Sequence, residues 1–270
     1  MARKPTVSIV GAGRVGGAIG VALSKAGYEV TAAWSRSRAG RQRVHRFLDV
    51  PVLDPAECAA AAEVTFVAVP DDAIAEIAEQ LAPGIHERSF VVHTSGGTSI
   101  TALDAAKRAG ARTGSLHPLQ TIPDPARGVE ALEGAAVAVT AHEPADVNAL
   151  MRLARAWGGK PFILDDESKG VYHAAAVFAS NYVTSSLWAA STLLTRAGIR
   201  NPGPLLGPLV RASIENVLAH GGRKAITGPV ARGDKETVKR HIAALKEIDP
   251  AITNGYKAFA EMTEQLMRTA

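Results

Sequence analysis

Near the start of the chain, a short apolar run ends in Gly11-Ala-Gly13-Arg14-Val15-Gly16 and then continues as an apolar, helix-forming stretch. Few arrangements suit three glycines at this spacing. The first glycine makes a tight turn, the second lets the backbone approach a ligand, and the third lets a helix pack against a strand. A helix that begins there offers free N–H groups and a partial positive charge to a phosphate. The segment 7–18 therefore predicts the phosphate-binding turn of a dinucleotide domain.

The surrounding pattern supports this expectation. Residues 6–10 read as a strand, the helix runs to about Ala26 with Gly27 closing it, and residues 28–34 form a second β-rich run. Together they make one strand–helix–strand unit. Further strands are expected at 64–69, 89–93, 113–116, 135–140 and 161–164, with helices at 73–81, 99–109 and 144–157 between them. Asp72 is placed to cap the first of these helices. Strands alternating with helices predict a parallel, doubly wound α/β sheet. After Asp165 the alternation stops, and helices are expected at 169–197, 204–219, 235–242 and 250–267. The sequence thus predicts a dinucleotide domain over 1–165 and an all-α domain over 166–270.

Composition narrows the function. One cysteine, Cys58, excludes an internal disulfide, and no histidine pair stands at a ligand spacing beside a carboxylate, so no metal is expected. Residues 170–195 lack Asp, Glu, Lys and Arg, but His173, Ser180, Asn181 and Thr184 argue against a lipid-facing span, and no membrane role is expected. The start of the chain lacks a signal-like apolar region, which reads as cytoplasmic. The net charge is +4, and the densest basic patch is Arg36, Arg38, Arg41, Arg43 and Arg46. So local a patch fits a small phosphate better than a nucleic acid.

The end of the second strand bears on the cofactor, although a merely solvated basic loop is the alternative reading. An NAD site usually has an acid there to hold the ribose hydroxyls. Here the chain reads Trp34-Ser35-Arg36-Ser37-Arg38, which suits a 2′-phosphate because guanidinium binds phosphate oxygens in a fork. NADP(H) is therefore the expected cofactor. Gly11, Gly13, Arg14, Val15, Gly16, Ser35, Arg36, Ser37, Val69, Pro70 and Asp71 are its expected contacts.

A second constellation lies further on. Lys169 and His173 share one face of the first long helix, with Ser180 seven residues beyond and Asn181 at its border. Polar groups in so apolar a helix need partners or a polar cavity. Solvation of Lys169, and structural roles for His173 and Asn181, remain open alternatives. Loops at strand C-terminal ends add Ser95, Gly96 and His117 as substrate contacts. The loop 227–234 is either a substrate or partner loop, or a helix connection in which Asp234 caps the next helix.

Across nearly its whole length the chain resembles the superfamily of ketopantoate reductase, pyrroline-carboxylate reductase and β-hydroxyacid dehydrogenase. These proteins join an N-terminal Rossmann domain to a helical C-terminal domain. More closely, it resembles a Rossmann-like family whose C-terminal domain is catalogued as of unknown function. The motifs that carry this are Val69-Pro-Asp-Asp72, His93-Thr-Ser-Gly96, Leu116-His-Pro-Leu-Gln120, His173-Ala-Ala-Ala-Val-Phe-Ala-Ser-Asn181 and Thr227-Gly-Pro-Val-Ala-Arg-Gly-Asp234. The resemblance implies an NADPH-dependent reductase of a small oxo-acid, with ketopantoate the leading substrate and a homodimer formed through the helical domain. It implies Lys169 as general acid, with His173 and Asn181 orienting the carbonyl. Two positions depart from the pattern: His173 stands where the ketoacid reductases carry Asn, and Ser95-Gly96 where ketopantoate reductases carry Asn-Gly. A cyclic-imine reductase and a non-catalytic NADPH-binding regulator are the alternatives.

Overall fold

A computed structural model describes residues 3–268 of the chain. Its contacts divide into two compact units, Met1–Ser180 and Asn181–Ala270. Strand alternation stops near Asp165, but the packing division falls fifteen residues later. The reason is that the helix beginning at Lys169 anchors its first residue inside the first unit.

The first unit is built on a seven-stranded sheet: β1 (Val7–Val10), β2 (Val30–Trp34), β3 (Val64–Val67), β4 (Phe90–His93), β5 (Arg112–Pro118), β6 (Ala136–Ala141) and β7 (Lys160–Ile163). Their order is β2-β1-β3-β4-β5-β6-β7. β1, β3 and β4 are buried along their whole length, as expected for strands covered on both faces. Helices α1 (Arg14–Lys25), α6 (Pro125–Leu132) and α7 (Pro144–Ala156) contribute to one core cluster, with Ile9, Phe66, Val92, Leu116 and Val139. Helices α3 (Pro55–Ala60), α4 (Ile74–Leu81) and α5 (Asp104–Arg108) contribute to the other, with Val10, Val67 and Val91. Burial of this size is worth roughly 25 cal/mol per Å² of apolar surface, and it fixes the strand register.

Several expectations are corrected. The sheet is not wholly parallel, since β6 pairs antiparallel to β5, with His117 opposite Ala138. The link between them returns through α6, which packs on α1, rather than making a full crossover. Asp72 does not cap a helix: Asp71–Ala73 forms a 3-10 turn without a side-chain cap, and α4 starts at Ile74. The basic segment after β2 is itself a helix, α2 (Arg38–Phe47), N-capped by Ser37, whose side chain accepts from the Gly40 N–H. Only Gly40 and Val44 of α2 are buried, too few to leave an apolar stripe in the sequence. The helix expected over 169–197 is α8 (Lys169–Val177) and α9 (Val183–Arg196), joined by a π turn at Phe178–Tyr182. An extra residue in a turn offsets the helical register beyond it by about 100°. Asn181 is exposed and belongs to the second unit.

That unit contains α9, α10 (Pro202–His220), α11 (Gly222–Ala225), α12 (Lys235–Lys246) and α13 (Pro250–Arg268). Asp234 caps α12 by accepting from Thr237, so the loop 227–234 does end as a capped helix connection. Among its described residues only Leu245, Ile252 and Thr253 are buried. Trp188, Leu205, Leu209 and Leu218 are between 58% and 82% exposed. An apolar cavity of about 360 Å³, bordered by Trp188, Leu245, Ile252 and Phe259, lies within the unit. Among the described residues no helix is long and apolar enough to cross a membrane.

Candidate active site

The glycine turn has the predicted geometry. Gly11 has φ +103°, and a Cβ there would lie 2.5 Å from the Ala68 carbonyl oxygen. At Gly16 a Cβ would lie 2.3 Å from the Gly11 oxygen and 2.8 Å from Ala68 Cβ. At Gly13 it would meet nothing closer than 4.0 Å, so this position faces open space. Two glycines are therefore required by the protein itself, while the third leaves room for a ligand.

Open space of about 380 Å³ adjoins that turn. Gly11, Gly13 and Trp34-Ser35-Arg36-Ser37 border it, together with Arg43 from α2. Val69, Pro70, Ala73, Glu76, Ile77 and Gln80 form the other wall. The loop is held by Arg41, whose guanidinium donates to the carbonyls of Ser35 (3.2 Å) and Arg36 (2.8 Å). Arg43 donates to the Ala12 carbonyl at 3.3 Å, which ties α2 to the glycine turn. No acid occupies the end of β2. Glu76 stands on α4 and accepts from Gln80 at 3.0 Å. Arg14 and Val15 open α1 outside this lining, and Asp71 lies beyond it along the sheet edge.

Further along that edge lies a polar cluster around Lys169. This residue is 1% exposed, among the largest fully buried side chains. Its ammonium donates to Ser115 Oγ at 2.8 Å and to the Ser95 carbonyl at 3.3 Å. Solvation of Lys169 is thereby excluded. Burial lowers its pKa to about 8, against the opposing pull of Asp166 and Asp71. Asp166 accepts from Ser99 Oγ and from the Ile100 N–H, which pins the start of α8 to the segment after β4. Ser95 Oγ donates to Asp71 at 2.8 Å and accepts from the Gly97 and Thr98 N–H groups. The Ser95 hydroxyl is thus engaged within the protein, and Asp71 is its partner.

His93 and His117 feel the ammonium charge, and His173 adjoins His117. His93 is fully buried, and its Nδ1 accepts from the Ser95 N–H at 3.2 Å. Burial and the Lys169 charge push its pKa to about 3. His117 is held at about 4 by burial, then by His173 and Lys169. It is half-buried, its Nδ1 lies 2.8 Å from the Tyr172 hydroxyl, and its ring stands edge-on to both Tyr172 (5.5 Å) and His173 (6.1 Å). Gly96 packs directly beneath it, since a Cβ there would come within 2.7 Å of His117 Cε1. Gly97 similarly meets His173 Nδ1 at 3.1 Å. The structure therefore gathers Ser95, Gly96, His117, Lys169 and His173 within the first unit, while Asn181 belongs to the second. Ser115, Asp166 and Tyr172 join them without having been singled out in the sequence. Tyr172 had a signal, standing three residues after Lys169 and hence on the same helical face. Ser115 and Asp166 had none, being ordinary strand and turn residues.

Residues 2–118 match the model of a Rossmann-like domain, and residues 135–263 match a domain of unknown function (DUF2520). No curated protein matches the sequence. Among solved structures, the fold is similar to that of a candidate NADP oxidoreductase of Bacteroides fragilis, with TM-score 0.85, 23% identity, and 97% of this chain and 98% of that one covered. A Thermotoga maritima protein aligns with TM-score 0.71 and 23% identity over the same shares of the two chains. A pyrroline-5-carboxylate reductase of Coxiella burnetii aligns at TM-score 0.60 and 18% identity, over 99% and 100% of the two chains.

The glycine geometry and the buried histidines each have a measurable outcome. Gly16→Ala should destabilise the fold by about 1–3 kcal/mol through overpacking. Gly13→Ala should leave the melting temperature nearly unchanged but weaken dinucleotide affinity at least about tenfold, or about 1.4 kcal/mol. Calorimetry and ligand titration on the two variants separate these effects. The second outcome concerns acid. His93 and His117 titrate near 6.5 when unfolded but near 3 and 4 when folded, so the unfolded chain binds more protons below pH 6.5. Stability should fall as pH drops from 6.5 towards 4, and His117→Gln should flatten part of that slope in denaturant titrations at stepped pH.

Proposed function

We propose that this chain, which joins a Rossmann-like domain to a DUF2520 domain, is an NADP(H)-dependent oxidoreductase that reduces a small oxo-acid. One observation carries the cofactor assignment. The space beside the glycine turn is bordered by Ser35, Arg36 and Ser37 at the end of β2 and by Arg43 of α2; no carboxylate stands at the end of β2, and the acid in the lining is Glu76 of α4. A ribose 2′-phosphate meets guanidinium and hydroxyl donors there, and the α1 N-terminus faces the pyrophosphate. A dinucleotide held there would have its nicotinamide end on the side of the sheet edge that carries Ser95-Gly96 and His117, after β4 and at the end of β5. The similarity to a candidate NADP oxidoreductase supports the same cofactor.

Hydride would pass from the reduced nicotinamide to a carbonyl carbon, and the carbonyl oxygen would take a proton. Ketopantoate is the leading substrate on the superfamily resemblance. A cyclic imine is the second, favoured by a specific feature: Lys169, the expected acid, is occluded and already donates to two protein oxygens. An imine needs less help from a general acid. NADPH oxidation should be followed with ketopantoate, related oxo-acids and cyclic imino acids. NADPH should bind at least about tenfold more tightly than NADH. Arg36→Ala with Arg43→Ala should erase that preference. Equal affinity of the native protein for both cofactors would refute the assignment.

The second unit is proposed to form a homodimer in a cytoplasmic setting. Its helices leave Trp188, Leu205, Leu209 and Leu218 exposed, and large exposed apolar side chains of this kind suit a protein interface. Sedimentation should give a dimer. Leu209→Asp with Leu218→Asp should shift it towards monomer, while the first unit still binds NADPH.

A further inference from the structure

On the reductase reading above, we infer that Tyr172, paired with His117, hands the proton to the substrate, and that Lys169 positions this pair without donating. The geometry separates the two roles by access and by fixation. Lys169 is 1% exposed, and its ammonium is held by Ser115 Oγ and the Ser95 carbonyl. His93 is fully buried. Asp71 accepts the Ser95 hydroxyl. Tyr172 and His117 are half-buried at the C-terminal edge of the strands, where ligands of open α/β sheets bind.

The pair is also held in place. The Tyr172 hydroxyl lies 2.8 Å from His117 Nδ1, and its ring packs edge-on against Phe162 at 6.0 Å. The His117 ring rests on Gly96, where even a methyl group would collide. The loop that carries Gly96 is fastened from below by Lys169 through the Ser95 carbonyl. The ammonium thus sets the height of the loop on which His117 sits. A fixed donor needs no reorganisation when charge develops on the substrate.

The protonation states fit a relay. Burial pushes the Tyr172 hydroxyl up to about 12, so it keeps its proton at neutral pH. His117 is neutral there, so it can donate from Nδ1 and accept at Nε2. When bound, the reduced nicotinamide would supply the hydride for the new C–H bond and be oxidised in doing so. The carbonyl π pair moves onto oxygen, which takes the Tyr172 proton as the phenolic O–H bond breaks. The phenolate recovers a proton from His117 Nδ1 while Nε2 takes one from solvent. The sum is one hydride and one solvent proton added across C=O, or across C=N for an imine.

The test uses the full chain, native and as Tyr172→Phe and Lys169→Met, with NADPH and the oxo-acid and cyclic imine panel. Tyr172→Phe should lower kcat about 10²- to 10⁴-fold, with the NADPH Kd and melting temperature nearly unchanged. Lys169→Met should lower the melting temperature and raise KM, because it loosens the loop. A Tyr172→Phe enzyme within threefold of native kcat overturns the inference. So does a Lys169→Met variant that loses kcat alone at native KM and melting temperature. Native protein that fails to bind NADPH, or binds it without oxidising it on any panel member, overturns the reductase reading itself.

Discussion

The ammonium of Lys169 is buried where β5, the segment after β4 and a helix start meet. It donates to Ser115 on β5 and to the Ser95 carbonyl after β4, with Asp166 at the head of α8 nearby. Taking a charge out of water is costly unless hydrogen bonds replace the lost hydration. Its two oxygen partners and two nearby carboxylates supply that replacement. The arrangement has consequences on all sides. The Ser95 loop is fixed in height, α8 is fixed at its first residue, and the positive charge helps keep His93 and His117 neutral. The polar edge of the sheet is therefore set by one buried cation.

At the opposite end of the same edge, backbone crowding plays the corresponding part. Gly11 and Gly16 are pressed against Ala68 and against each other, which brings α1 onto β1 and aims its N-terminus at the open space by Gly13. Arg41 and Arg43 commit guanidinium donors to backbone carbonyls, so the Ser35-Arg36-Ser37 loop and α2 are tied down before any ligand arrives. A binding surface shaped in advance loses less freedom on binding. Between the two ends run Val69, Pro70 and Asp71, with Asp71 joined to Ser95. One edge of one sheet thus carries a basic, open end and a buried, histidine-rich end.

The second unit obeys a different logic. Its helices have apolar residues enough for a core, yet only Leu245, Ile252 and Thr253 are buried among its described residues. Periodicity located these helices without showing which faces would remain uncovered. The π turn at Phe178–Tyr182 was invisible for a related reason. A one-residue change of register leaves no mark on composition.

Local chemistry determined the glycine turn, the strand alternation, the missing acid after Trp34 and the nomination of Lys169, His173, Ser95 and His117, because each depends on residues close together in the chain. The tertiary structure alone decided what those groups do to one another. It buried Lys169 rather than solvating it, engaged Ser95 with Asp71, reversed β6 against β5, and set Tyr172 on His117. The partners are separated by 24 to 74 residues in the chain. Which side chain receives a proton or loses its water depends on neighbours brought together by folding, and no local pattern encodes that distance.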